Sequence, residues 1–147
     1  PLEGEPSFGG RYVASGPIAQ TYSERLLTCG DSAGQVFAGI GEGIYFALKA
    51  GQLAGKMAIK AIEGNNYHRE YLKNYEMDWK KSFGQQMDAG IILTTVLFFL
   101  MRYHLAHNAL KIVKPKEILD IWFHGNVSFR IKVLYFFLKS IGYSPKR

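Results

Sequence analysis

The sequence predicts a mostly α-helical segment with two or three short strands confined to its N-terminal part. Three patterns carry this prediction. Polar residues recur at three- and four-residue steps from Lys49 to Glu63, and aromatic residues recur every four from Tyr67 to Trp79. The β-compatible runs all lie before residue 30. Composition divides near Glu63: residues 1–63 are rich in glycine, and residues 64–147 in aromatic and basic side chains.

Residues 1–8, with Pro1, Gly4 and Pro6, read as loop. Residues 11–14, bounded by Gly9-Gly10 and Gly16-Pro17, read as a short strand. Residues 25–29 form a second strand, placing Leu26 and Leu27 in a sheet and Cys29 as a buried, inert thiol. From about residue 41 to 63 the pattern is helical. Lys49, Gln52, Lys56, Lys60 and Glu63 form one narrow wet stripe, and Ala47, Gly51, Ala54, Gly55 and Ala58 a small-residue face suited to close packing. With Phe46, Leu53 and Met57 for bulk, this helix is expected to be mostly buried.

Gly64-Asn65-Asn66 breaks the helix, and a second runs from about residue 67 to 85–86. Its stripe of Tyr67, Tyr71, Tyr75 and Trp79, extended by Phe83, reads as a packed interface rather than a tunnel lining. Residues 89–101 are the most apolar run, shorter than the roughly 20 residues a bilayer requires. They are expected to form a core helix, or one that dips into a membrane face or a substrate channel. His104 and His107 lack a third ligand at suitable spacing and read as solvated, so no metal site is expected. Pro115 opens a short helix through about residue 123, ended by Gly125-Asn126. Ser128 is the expected N-cap of a last helix through Ser140. Its apolar residues, Ile131 to Leu138, are flanked by Arg130, Lys132 and Lys139, as in a helix that lies on an anionic membrane or one that closes a core.

The formal net charge is +6, with +7 in residues 64–147 and −1 in residues 1–63. Such asymmetry suits an anionic partner or a solvated basic face. Nucleic acid ranks last among the partners, because the basic residues match no groove-reading motif. The single cysteine excludes an internal disulfide and a cysteine-based zinc site, and fits a reducing cytoplasm. With Pro1 first and no initiator Met or signal peptide, the chain reads as a piece of a longer protein.

The candidate site is the stretch from Gly30 to Tyr45. Gly30 permits a sharp turn that leaves the Asp31 carboxylate at the end of the second strand, the edge where α/β sheets collect ligands. Gly39, Gly41 and Gly43 permit close backbone approach just before a helix whose first N–H groups lack partners. Asp31 thus supplies a hydroxyl acceptor, and the helix start a row of donors for a partly negative ligand. This is neither a Rossmann fingerprint, since the third glycine is Gly43 and the strand ends well upstream, nor a P-loop, since Ala50 and Met57 replace required residues. The plain alternative is a glycine-rich turn ahead of an ordinary helix.

Gly16-Pro17-Ile18-Ala19-Gln20-Thr21-Tyr22, Leu26-Leu27-Thr28-Cys29-Gly30-Asp31-Ser32-Ala33-Gly34 and Gly41-Glu42-Gly43-Ile44-Tyr45 together resemble the second flavin motif of geranylgeranyl reductases. These are FAD enzymes of the para-hydroxybenzoate hydroxylase superfamily. The resemblance is strongest over residues 9–63, where Ala47-Leu48-Lys49-Ala50-Gly51 also matches, and looser beyond. Ala38 and Ile40 depart from the family's usual Pro and Thr.

The resemblance implies an α/β FAD-binding fold for the parent enzyme, with residues 1–63 as the end of its FAD-binding domain and 64–147 as a helical C-terminal region. The strand, G-x-G-x-x-G loop and helix that open such a fold are not in this sequence. The FAD-binding residues implied are Gly30, Asp31, Gly41, Gly43, Ile44 and Tyr45. Asp31 would hold a ribityl hydroxyl, and the Ile44 and Tyr45 amides would face the pyrimidine edge of the flavin. The implied activity is reduction of carbon–carbon double bonds in isoprenoid chains, including those of archaeal membrane lipids. An isoprenoid lipid is the substrate and an unnamed electron donor a partner, with the enzyme cytoplasmic or peripheral at the membrane. Tyr45 is a candidate proton donor by proximity alone. Other readings are a quinone-linked or hydroxylating flavoprotein of the same superfamily, or a non-catalytic membrane-surface helical module.

Overall fold

Glu24 and Arg25 turn the chain tightly between β1 (Tyr22–Ser23) and β2 (Leu26–Leu27), an antiparallel pair with Tyr22 opposite Leu27 and Ser23 opposite Leu26. The computed structural model describes residues 16–105, 111 and 113–143. A 3-10 turn, Gly30–Ala33, and a closed loop lead into helix α1 (Ile44–Glu63). Then follow α2 (Arg69–Trp79), a π-helical turn (Lys80–Gly84), α3 (Gln85–Arg102), α4 (Pro115–His124) and α5 (Phe129–Ser140). The described residues are mostly helical with one short two-stranded sheet, as the sequence predicts.

The strands differ in detail from expectation. The strand expected over residues 25–29 shrinks to Leu26–Leu27, and Leu26 is 52% exposed. Its one partner among the described residues is β1, so it lacks the flanking strands that would bury it. The hairpin is held to α2 by side chains instead. Glu76 Oε2 accepts from the Thr21 amide at 2.8 Å and its hydroxyl at 3.1 Å, and Trp79 Nε1 donates to Thr21 Oγ1 at 2.9 Å. Tyr75 donates its hydroxyl to the Thr28 carbonyl at 2.9 Å, and Glu24 accepts from the Arg69 amide at the start of α2. Cys29 is half-buried rather than enclosed. The expected strand 11–14 and His107 lie outside the described residues.

The aromatic stripe does pack. Tyr75 and Trp79 are buried, and Trp79 stacks on Phe83 with ring centres 5.4 Å apart. The two helices expected over residues 67–86 and 89–101 are, however, one continuous helix, Arg69–Arg102. Gly84 keeps helical angles, and the π turn absorbs the change of face instead of ending the helix. This helix is long and apolar enough over one stretch to cross a membrane by length and composition, unlike residues 89–101 taken alone. Nearly half of that stretch is buried in the protein, where Leu93, Val96 and Leu100 pack with Ile121 of α4 and Ile131 of α5 into one core.

α4 opens on Pro115 and ends at Gly125, which takes the left-handed conformation (φ 71°) expected of a helix stop. Ser128 occupies the N-cap of α5, but its hydroxyl makes no capping bond. The α4–α5 corner is secured instead by Glu117, which accepts from the Lys114 amide at 2.9 Å and pairs with Arg130 at 3.0 Å. The Lys114 amide, with Arg130 beside it, holds the Glu117 carboxyl below the usual range.

α1 departs most from expectation. Phe46, Ala50, Met57 and Ala61 bury one face against the core. The small-residue face packs only in part: Ala54 lies against the core and Ala47 against Gly30, whereas Gly51 and Gly55 are exposed, with nothing within 4 Å of where a Cβ would stand. A single layer of partners covers only one side of the helix.

Candidate functional site

The 3-10 turn after β2 exists because Gly30 adopts a left-handed conformation (φ 64°) that a side chain would strain. Gln35 closes the turn: its side chain accepts from the Gly30 amide at 2.8 Å, and its own amide donates to the Gly30 carbonyl at 3.0 Å. Asp31 follows directly and is exposed. Asp31 therefore sits on this turn rather than at the edge of an open sheet, because the described sheet is a two-residue hairpin.

The loop from Phe37 to Glu42 is closed by its own backbone. The Phe37 amide donates to the Glu42 carbonyl at 2.7 Å, and the Gly41 amide returns to the Phe37 carbonyl at 3.0 Å. Buried Phe37 anchors it, so the Ala38 and Ile40 departures leave a closed loop. Gly41 lies at its tip (φ 70°), and Gly43 is the N-cap of α1.

The fold brings the predicted residues together. A Cβ on Gly43 would stand 3.1 Å from Asp31 Oδ1 and 3.2 Å from Val36 Cγ2, so the carboxylate lies against the first backbone unit of the helix. A Cβ on Gly30 would stand 3.2 Å from Ala47 Cβ one turn further on. Ile44 and Tyr45 are exposed at the same end. The pair of amides expected there is reduced, because the Tyr45 amide donates to Glu42 Oε1 at 2.9 Å. Glu42, which sequence reasoning passed over, thus caps the Tyr45 amide with its side chain from the position before the N-cap. An acidic residue just before a helix start was the available signal. Its other oxygen, Oε2, is buried without a partner among the described residues.

This set fits a ligand with hydroxyls and a partly negative edge. No hydrogen bond engages the Asp31 carboxylate among the described residues, and the Ile44 amide remains at the helix's positive end. Tyr45 packs edge-on to Phe46 with Lys49 Nζ 5.2 Å from its ring centre. No group of three or more metal-binding side chains occurs among the described residues.

The fold and the loop define a mostly helical protein with a glycine-rich turn ahead of a long helix, and similarity to known proteins narrows the class. The chain is 49% identical over 77 residues to a digeranylgeranylglycerophospholipid reductase of Methanocaldococcus jannaschii, covering 52% of this chain and 19% of that protein. It is 36% identical over 115 residues to digeranylgeranylglycerophospholipid reductase 1 of Methanococcoides burtonii, covering 76% and 28%. A second reductase of that name from Methanopyrus kandleri is 28% identical over 125 residues, covering 80% and 31%. These matches, which fall on the C-terminal portion of the relatives, support a geranylgeranyl reductase family assignment. The chain spans between about a fifth and a third of the length of these relatives. No family model matches it, and no solved structure does.

Proposed function

We propose that this chain is the C-terminal portion of an FAD-dependent oxidoreductase that reduces carbon–carbon double bonds of geranylgeranyl chains in lipid biosynthesis. One observation carries the reading: a carboxylate, Asp31, with no hydrogen-bond partner among the described residues, set against the glycine N-cap of a long helix in a chain related to reductases of such lipids. Asp31 accepts from a ribityl hydroxyl, and the Ile44 amide, aided by the helix dipole, stabilises negative charge at the pyrimidine edge. Gly41, with open space beside it, keeps the approach clear, Gly30 and Gly43 let the turn and the helix start close on Ala47 and Asp31, and Tyr45 contributes its ring beside the loop rather than its amide. When bound, reduced FAD supplies the hydride for the double bond. The cofactor's adenylate and pyrophosphate contacts belong to the part of the relatives that this chain does not span, so the 147-residue piece alone is inactive and retains no FAD.

An open cavity of about 450 Å³ beside the π turn supports an isoprenoid substrate. Pro17, Ile18, Trp79, Met87 and Ile91 give it an apolar wall, with Lys80 and Asp88 at its margin. The exposed face of α5, with Phe129, Val133, Phe136, Phe137 and Ile141 interleaved with Lys132 and Lys139, supports peripheral contact with an anionic membrane. On this reading the enzyme works in the cytoplasm, peripheral at the lipid surface, and draws electrons from a separate donor.

The test is flavin content. Asp31→Ala is introduced into a protein that joins this chain to the upstream portion of the Methanococcoides burtonii relative. FAD affinity is expected to fall about ten- to hundredfold, as loss of a charged hydrogen bond predicts, with thermal stability unchanged. Unaltered flavin occupancy would remove Asp31 from the site.

A further inference from the structure

Helix α1 carries three faces, and only two are accounted for. Phe46, Ala50, Met57 and Ala61 face the core. Lys49, Gln52, Lys56, Lys60 and Glu63 form an exposed polar stripe covering about a quarter of the circumference. Between them runs a third line: Ile44, Leu48, Gly51, Gly55, Ile59 and Ile62, spaced three or four residues apart over the whole helix. It holds no charged or polar side chain. Its large members are exposed: Ile44 78%, Leu48 69%, Ile59 58% and Ile62 66%. At its centre Gly51 and Gly55 leave bare backbone with open space above.

A surface helix bears one apolar stripe toward its core, with polar residues opposite. Here the polar stripe marks the solvent side, and the additional apolar stripe marks a second packing partner. The stripe starts at Ile44, so whatever covers it also walls the loop that holds Asp31 and Gly43. More than two thirds of each related reductase's length lies outside the region this chain matches. We infer that the α1 stripe is the docking face for that upstream portion of the family polypeptide, packed closely over Gly51 and Gly55.

Charge separates this face from the lipid-facing one. The apolar residues of α5 alternate with Lys132 and Lys139, whereas the α1 stripe is neutral throughout. A neutral, glycine-centred stripe suits dry packing against protein. The inference rests on the family relationship and the exposure of α1, and is independent of which cofactor the site takes.

Thiol footprinting tests it without flavin. In a Cys29→Ser background, single cysteines replace Leu48, Ile59, Gln52 or Lys56 in two proteins: the 147-residue chain alone, and the chain joined to the upstream portion of the Methanococcoides burtonii relative. Maleimide labelling at positions 48 and 59 is expected to slow at least tenfold on joining, while positions 52 and 56 label at the same rate in both. The same four replacements at the aligned positions of the intact relative give the answer should the joined protein fail to fold. Equal labelling of all four positions in the joined and intact proteins would overturn the inference. So would slow labelling at 48 and 59 in the chain alone that disappears on dilution, which would assign the stripe to a second copy. Flavin content, measured separately on the same proteins, distinguishes failure of this docking from failure of the FAD reading.

Discussion

Asp31 Oδ1 lies 3.1 Å from the point a Cβ on Gly43 would occupy, although the two residues are twelve apart in sequence and belong to different turns. The contact makes Gly43 a residue that cannot gain even a methyl group freely. Gly43→Ala should displace the Asp31 carboxylate or the helix start, since Val36 blocks the other side at 3.2 Å. FAD affinity of the joined protein is expected to fall at least as far as in Asp31→Ala. The variant chain alone should lose about 1 kcal/mol in urea denaturation, typical of a tight but adjustable site. Unchanged flavin binding would show that the loop yields without cost.

Thr21 bridges the hairpin to α2, donating to Glu76 and accepting from Trp79. Thr21→Val keeps the shape but leaves the buried Trp79 N–H unpaired, at an expected cost of about 1–3 kcal/mol. Thr21→Ser should recover most of it. The check is the urea midpoint of the three proteins at neutral pH.

Glu76 sets an acid limit on the fold. Burial alone would raise its pKa, but the bonds from Lys80 and from the Thr21 amide and hydroxyl outweigh burial and lower it. A lowered folded pKa contributes stability above the unfolded carboxylate value, lost as pH falls through the folded one. Stability should therefore drop with acidification below about pH 4.5 more steeply in the wild type than in Glu76→Gln. Parallel pH profiles for the two would deny Glu76 this role.

Tyr75 sets the alkaline counterpart. Burial, the largest cause, pushes its pKa up to about 12 from 10.0. With a raised folded value, its contribution is complete below pH 10 and is lost as pH rises toward 12. Absorbance of ionised tyrosine near alkaline unfolding should show one phenol titrating late in the wild type and missing in Tyr75→Phe.

Arg130 and Glu117 pair at 3.0 Å, but the arginine is more than half exposed. Arg130→Ala is expected to cost no more than about 1 kcal/mol. Glu117→Ala should cost more, because it also frees the Lys114 amide at the start of α4. Equal losses would mean that the ion pair alone secures the corner.

The sequence alone determined the elements whose causes are local. The four-residue aromatic stripe, Pro115 at the start of α4, Gly125 at its end and the polar line along α1 each reflect helical spacing or a backbone preference within a few residues. The candidate site was legible for the same reason: Gly30-Asp31 and Gly41 to Tyr45 carry their own turn and helix-start chemistry. Tertiary structure decided what depends on distant partners. Glu42 took the Tyr45 amide with its side chain, because the loop folds back through Phe37. Helices expected to be separate became one, because core packing on both sides of Gly84 favours a π turn over a break. The exposure of Leu26 and of the Ile44 to Ile62 stripe was settled by what stands beside them. Periodicity records that a face is apolar, and only the presence of a neighbour determines whether that face is covered.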